Sequence, residues 1–277
     1  MIPTTTPATS PRHSLNGEAL ASAKLPEESV YDGEHTEIVI KPQSGWMPIN
    51  WKELYAYREL LLFFVWRDIS ARYKQTVLGS AWAILQPLLL MLIFTLVTRF
   101  VPVRTPEING VPVPFPVFVF AGLIPWTMFS QGMAQSALSL VNNHHMMTKV
   151  YFPRLFMPVS AATVFLVDVA YSLGIYAIIL LLYRMTPAWT VIFLPFLVLL
   201  TLIATLSIGV MLASLTLFYR DFRHVVPFLV QVMMYISPVF WSASAITDRK
   251  PLAGYVMALV NPMFGIVDAY RGIILGT

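Results

Sequence analysis

The chain has 277 residues, of which 57% are hydrophobic and only 12% charged, with a formal net charge of +4 and no cysteine. A soluble domain carries roughly 25% charged residues, so a chain at half that density cannot cover its own surface with polar groups and must turn most of its outside to lipid. The missing cysteine excludes disulfides, thiolate catalysis and Cys-ligated zinc, and so small a net charge gives no reason to expect a nucleic-acid partner.

Residues 1–45 are rich in Thr, Ser, Pro and Glu and contain no apolar core of signal-peptide length. With so little apolar surface to bury, this segment is expected to be a disordered tail. Residues 46–79 form the next unit. Trp46 and Trp51 mark the approach to the membrane, because an indole is apolar but its N–H seeks a partner. Residues 51–74 contain neither Pro nor Gly and read as helix. Their apolar run at 60–66 covers roughly 10 Å, far short of a hydrocarbon core of about 30 Å. Arg58, Arg67, Asp68, Arg72 and Lys74 crowd around it, and Arg58, Asp68 and Arg72 share a face with Leu54 and Leu61. Such a helix lies on the membrane surface and meets protein as well as lipid. Gly79-Ser80 then supplies an elbow into the bilayer.

Residues 80–277 read as an all-α transmembrane domain. The first span, 80–98, holds Gln86-Pro87 and is followed by a Pro-rich loop at 101–116 with little helical potential. The second span, 117–140, leads into a polar connector at 142–154. The third, 155–183, and fourth, 189–218, are separated only by a tight hairpin at 184–188, and the fifth, 225–241, is interrupted by Pro227 and Pro238. Residues 252–260 and 263–275 are apolar but individually too short to cross, and Asn261-Pro262 divides them. Five spans plus a re-entrant helical pair is therefore the expected architecture.

Cations near the span ends set the orientation. Lys52, Arg58, Arg67, Arg72, Lys74, Lys149, Arg154, Arg220 and Arg223 fall on one side, against Arg99, Arg104, Arg184, Arg249, Lys250 and Arg271 on the other. The denser side is cytoplasmic, and with it the N terminus and the connectors near 145 and 221.

Chemistry-bearing residues are sparse. No Gly-x-x-x-x-Gly-Lys-Ser/Thr phosphate loop occurs, so no nucleotide site is expected. His144-His145 are adjacent rather than four apart and have no carboxylate nearby, so neither a metal site nor a catalytic centre is expected. Asp168 stands mid-span between Val167 and Val169, where an ionisable group costs at least about 2.5 kcal/mol unless sheltered. It is expected to face the bundle or dimer interior, as a structural anchor or a channel group, and Gln86 offers a similar polar contact between spans. Trp126, Phe129, Tyr235 and Phe240 are candidate channel aromatics, since a pyranose C–H face stacks on a ring, with core packing as the simpler role for each.

Several of these residues together resemble a known family. Gly45-Trp46, Tyr57-Arg58-Glu59-Leu60, Trp66-Arg67-Asp68-Ile69, Arg72-Tyr73-Lys74-Gln75-Thr76, Leu78-Gly79, Trp82 and Gln86-Pro87 make the first block. Gly122-Leu123-Ile124-Pro125-Trp126, Phe218-Tyr219-Arg220-Asp221, Ser237-Pro238 and Asn261-Pro262 continue it. In this order the chain is similar to the membrane permeases of type-2 ABC exporters for polysaccharides, the group moving O-antigen, capsule and teichoic-acid polymers.

The resemblance implies a permease of the bacterial inner membrane that works as a homodimer with two copies of a separate ATPase, which holds the ATP and Mg; this chain itself binds no cofactor. A lipid-linked polysaccharide would pass outward between the two permeases. The connector at 142–154 takes the position of the segment that docks on the ATPase, with Asn142, His144, Lys149, Tyr151, Phe152 and Arg154 as its coupling residues, and Asn261 and Pro262 fall in the outer re-entrant gate. The family continues into a sixth span returning to the cytoplasm, whereas this chain stops at Gly276-Thr277, so the resemblance implies a truncated or altered end. The alternatives are a secondary carrier, which calls for inverted repeats and paired intramembrane charges, and a membrane-embedded glycosyl- or acyltransferase, which calls for a carboxylate or His constellation at the interface.

Overall fold

A computed structural model describes residues 51–74, 81–100, 107–108, 111–149, 151–247 and 250–276. The expected tail at 1–45, Trp46 and the elbow at Gly79-Ser80 lie outside the described residues, as does most of the loop at 101–110. The chain is an all-α membrane protein, with four helices long and apolar enough to cross a bilayer, or five if one bent pair counts as a span.

Two helices precede the first crossing. α1 (Trp51–Ala56) runs almost directly into α2 (Arg58–Lys74). α3 (Ala81–Phe100) is the first long apolar helix, and a two-residue hairpin of β1 (Glu107–Ile108) and β2 (Val111–Pro112) follows it. α4 (Phe115–Asn142) is the hub of the bundle, packing against α3 and later helices. Its sequence is apolar all round, the pattern of a helix surrounded by protein, and 83% of its span is buried. After a single turn, α5 (His144–Met147), the chain rises through α6 (Phe156–Thr163) and α7 (Phe165–Leu182), which together make one span. A 3₁₀ turn (Trp189–Phe193) opens α8 (Leu194–Phe218).

The seam between α4 and α8 is built from small residues. A Cβ on Gly132 would lie 2.7 Å from Thr205 Cγ2, and one on Gly209 would lie 2.7 Å from Ser136 Cβ. Lipid tails are as apolar as leucine, so membrane helices associate through such close approach and through polar links. Thr216 bonds to the Ala137 carbonyl across this seam, and α4 is tied likewise to α6 by Ser136 Oγ donating to Pro158 O at 2.7 Å and to α7 by Tyr176 OH donating to Val117 O at 3.2 Å. Gly209→Val is expected to cost about 1–3 kcal/mol by overpacking. The check is the thermal-unfolding midpoint in detergent, and an unchanged midpoint means this seam has slack.

The expected fifth span at 225–241 differs from what forms. α9 (Phe222–Ile236) starts earlier and stops sooner, giving 15 residues, roughly 22 Å of helix. A proline drives its preceding residue out of the helical region, and Ser237, before Pro238, is extended at φ −76°, ψ 141°. Irregular chain at 237–243 then leads to α10 (Ser244–Thr247). α11 (Pro251–Val260) and α12 (Pro262–Leu275) meet at 105°. The bend sits at Asn261, whose side chain accepts from the Met263 N–H at 3.0 Å and so caps α12.

Candidate functional site

The polar face formed by α2 and the 142–154 connector is the first of two side-chain clusters. Asn143 closes α4 by donating from Nδ2 to Ser139 O at 2.9 Å. Arg67 spreads over the turn that follows: Nη1 reaches Met146 Sδ at 3.4 Å and Nη2 reaches Asn143 Oδ1 at 3.5 Å. The same guanidinium donates from Nε and Nη2 to Asp68 Oδ1 at 2.8 and 2.7 Å, while Asp68 Oδ2 accepts from Ser160 Oγ at 2.9 Å. Below this network Phe64 meets Phe152 edge-on at 5.2 Å, in a small core with Leu140, Phe156, Met157 and Ala213. At the outer rim the Tyr151 hydroxyl donates to Glu53 Oε1 at 3.0 Å, and that bond pushes the phenol above its ordinary pKa. The connector is thereby held on both sides.

This placement corrects one sequence expectation. Phe152 is buried rather than presented to a partner, because an aromatic ring has a better contact in Phe64 than in water. Of the expected coupling residues, Asn142, His144, Lys149, Tyr151 and Arg154 are the exposed ones. The α2 charges do not all face outward. Arg67, Asp68 and Arg72 lie on the side that packs against α4, α6 and α7, leaving Arg58 and Lys74 exposed. The His144 and His145 rings lie 3.8 Å apart, tilted by 39°, and no group of three possible metal ligands forms among the described residues.

Asp168, the mid-span carboxylate, is reached from α2. Arg72 Nη2 donates to Oδ2 at 2.9 Å and the Tyr73 hydroxyl donates to Oδ1. Arg72 also stacks over the Phe165 ring at 4.4 Å. Burial and then the bond to Asp168 raise the Tyr73 phenol well above its ordinary value. Asp168 is therefore a charge-compensated anchor between α2 and α7. Gln86 is exposed on α3 and has no hydrogen-bond partner among the described residues.

The second cluster gathers the breaks of α9 and of the bent pair. Asn261 Nδ2 donates to Ser237 Oγ at 2.8 Å, tying the two proline motifs together. Beside them Arg271, 2% exposed, donates to four carbonyls: Phe118 at 3.2 Å, Pro238 and Val239 at 2.6 Å each, and Trp241 at 3.2 Å. Its guanidinium lies 3.6 Å over the Phe118 ring. A Cβ on Gly122 would come within 2.6 Å of Nη2, so only glycine leaves room for it. Arg271 and Ser237 were not among the sequence candidates, although an ionisable residue in an apolar run is itself a signal.

The candidate aromatics divide. Trp126 and Phe129 are buried in the α4 core, with no free ring face for a ligand. Phe240 stacks on Phe94 at 3.5 Å, and Tyr235 alone of the four is largely exposed.

Comparison with known proteins gives a consistent result. The family model described as ABC-2 type transporter matches residues 59–275. The chain is 33% identical over 222 residues to an "O-antigen export system permease protein RfbA" of Myxococcus xanthus, covering 80% of this chain and 82% of that protein. It is 25% identical over 209 residues to a protein of the same description from Klebsiella pneumoniae, covering 72% and 78%. A "Polysialic acid transport protein KpsM" of Escherichia coli is 28% identical over 210 residues, covering 74% and 77%.

Proposed function

The chain belongs to the ABC-2 type transporter family, and from that membership we propose that it is the permease subunit of an ATP-driven exporter of a lipid-linked polysaccharide. The relatives described as O-antigen and polysialic-acid transport proteins support that substrate class. Two copies work together in the inner membrane of a bacterium, N terminus inward, with two copies of a separate ATPase that binds ATP and Mg. The polymer leaves through a path between the two permeases. The apolar side chains that α3 leaves exposed, among them Leu89, Leu92, Ile93 and Leu96, offer a face for lipid or for the second copy.

The observation that carries the reading is the connector clamped by α2. A segment that receives force from an ATPase must be stiff toward the spans it moves and polar toward its partner. Phe64–Phe152 packing and the Arg67–Asn143 contact supply the first property, and the exposed Asn142, His144, Lys149, Tyr151 and Arg154 supply the second.

Arg154→Ala is expected to weaken association with the ATPase by about tenfold, or roughly 1.4 kcal/mol, with membrane insertion unchanged. Co-purification of the two chains and ATP-dependent glycolipid movement in vesicles test this. Wild-type association in both Arg154→Ala and Lys149→Ala would remove the connector from the docking surface, and vesicles in which ATP hydrolysis moves no glycolipid would overturn the function itself.

A further inference from the structure

At the end of the bundle opposite the 142–154 connector, an apolar cleft of about 490 Å³ opens between α7, the start of α8 and the end of α12. Its walls include Leu173, Tyr176, Leu180, Leu181, Val191 and Ile274. That volume falls within the roughly 300–1,000 Å³ of ligand sites. The Tyr176 hydroxyl is engaged with Val117 O, so the cleft offers water almost nothing to bond to, and water needs two to four polar partners to stay.

The cleft is built rather than incidental. The Ala188 N–H donates to Ile274 O at 3.1 Å and Thr190 Oγ1 donates to Ile273 O at 2.6 Å, pinning the α7–α8 turn to α12. One end of the cleft is the turn that closes α7. There the Arg184 N–H donates to Leu181 O at 3.0 Å and the Met185 N–H to Leu180 O at 2.9 Å, the paired bonds of a Schellman motif. The left-handed position of that motif normally holds glycine, yet Arg184 occupies it at φ 54°. Arg184 is exposed and makes no side-chain hydrogen bond or ion pair among the described residues. Next to it Tyr183 and Trp189 are exposed, as aromatic side chains are where a membrane meets water.

We propose that this cleft is a phospholipid site, in which an acyl chain lies between α7 and α8 against the end of α12 and the phosphate of an anionic headgroup sits on Arg184. A void lined by apolar atoms forfeits dispersion contacts that a chain restores. The mouth opens beside the exposed Leu181 and Leu182 on a membrane-spanning helix, where the bilayer supplies the occupant. The cation in a strained backbone position at the rim accounts for the headgroup preference. This site is separate from the transport reading and stands or falls independently of it.

The test uses the purified full chain in detergent, titrated with phosphatidylglycerol, phosphatidylcholine or a polyprenyl phosphate, with the thermal-unfolding midpoint and retained lipid by native mass spectrometry as readouts. Phosphatidylglycerol is expected to raise the midpoint saturably, at a concentration about fivefold lower than phosphatidylcholine requires. Arg184→Gln abolishes that difference, and Ala177→Trp, which fills the cleft from an exposed wall position, abolishes both lipid effects. Retention of the phosphatidylglycerol effect in a folded Ala177→Trp chain overturns the site, as does stabilisation by polyprenyl phosphate alone, or a change of oligomeric state in Ala177→Trp with no lipid effect in the parent. Should Ala177→Trp not fold, unchanged lipid preference in Arg184→Gln overturns it instead.

Discussion

Arg271→Ala is expected to destabilise the folded chain by about 3–5 kcal/mol, the scale of deleting one partner from a buried charged network. The reason lies in α9. At 15 residues it ends short of a full crossing, and irregular backbone follows at 237–243. Irregular backbone at membrane depth is tolerated only where protein satisfies its polar groups. Arg271 does so for Pro238, Val239 and Trp241, and its Nε bonds Phe118 O on α4 as well. Alanine would strand the Pro238, Val239 and Trp241 carbonyls in an apolar surround, each at a desolvation cost of about 1–3 kcal/mol. Arg271→Lys keeps the charge but has no planar fork to spread over carbonyls on two elements, so it should fall between alanine and wild type. Thermal or denaturant unfolding at fixed lipid content measures the order. Alanine unfolding like the parent would mean the carbonyls are satisfied another way.

Four of the spans were legible in the sequence because a bilayer demands long apolar runs and tolerates little else. Helix rotation was not. In a soluble protein an apolar stripe points to the core, but in a membrane the lipid and the protein interior are equally apolar. α4, buried on nearly every side, and α8, with Phe196, Leu199 and Ile203 exposed, therefore both read simply as apolar spans. That is why Trp126 and Phe129 read as candidate channel rings when they are core residues. The same ambiguity hid the direction of the α2 charges. Spacing placed Arg67, Asp68 and Arg72 close together on one helix but did not say which side faces α4 and α7.

Where a charge stood in an apolar run, the sequence was more informative than its simplest use suggested. Arg271 served to set orientation, yet a guanidinium in that run also has to find acceptors. It finds them at Phe118, Pro238, Val239 and Trp241, beside the place where Ser237-Pro238 and Asn261-Pro262 meet through the Ser237–Asn261 hydrogen bond. Gly122, in a third motif, leaves the room the guanidinium occupies. Three pieces of the family pattern thus serve one packing problem, the shortness of α9.

Asp168→Leu is expected to cost about 2–3 kcal/mol and to loosen α2 from the bundle. The carboxylate is 11% exposed and its Arg72 partner 35% exposed, so the loss falls below the 3–5 kcal/mol of a fully buried pair. Deleting the carboxylate also leaves the Tyr73 hydroxyl without its acceptor. A double-mutant cycle separates the pair from packing changes: Arg72→Met alone should cost about as much as Asp168→Leu, and the double variant little more than either. Full additivity would show that the two residues act independently. α2 also holds the connector through Arg67 and Phe64, so proteolysis or hydrogen exchange in 51–74 should rise in Asp168→Leu before the spans themselves loosen. If the reading of the connector as the segment that receives force is right, export should fall more steeply than ATPase association in that variant, because the docking surface is intact while its support has softened.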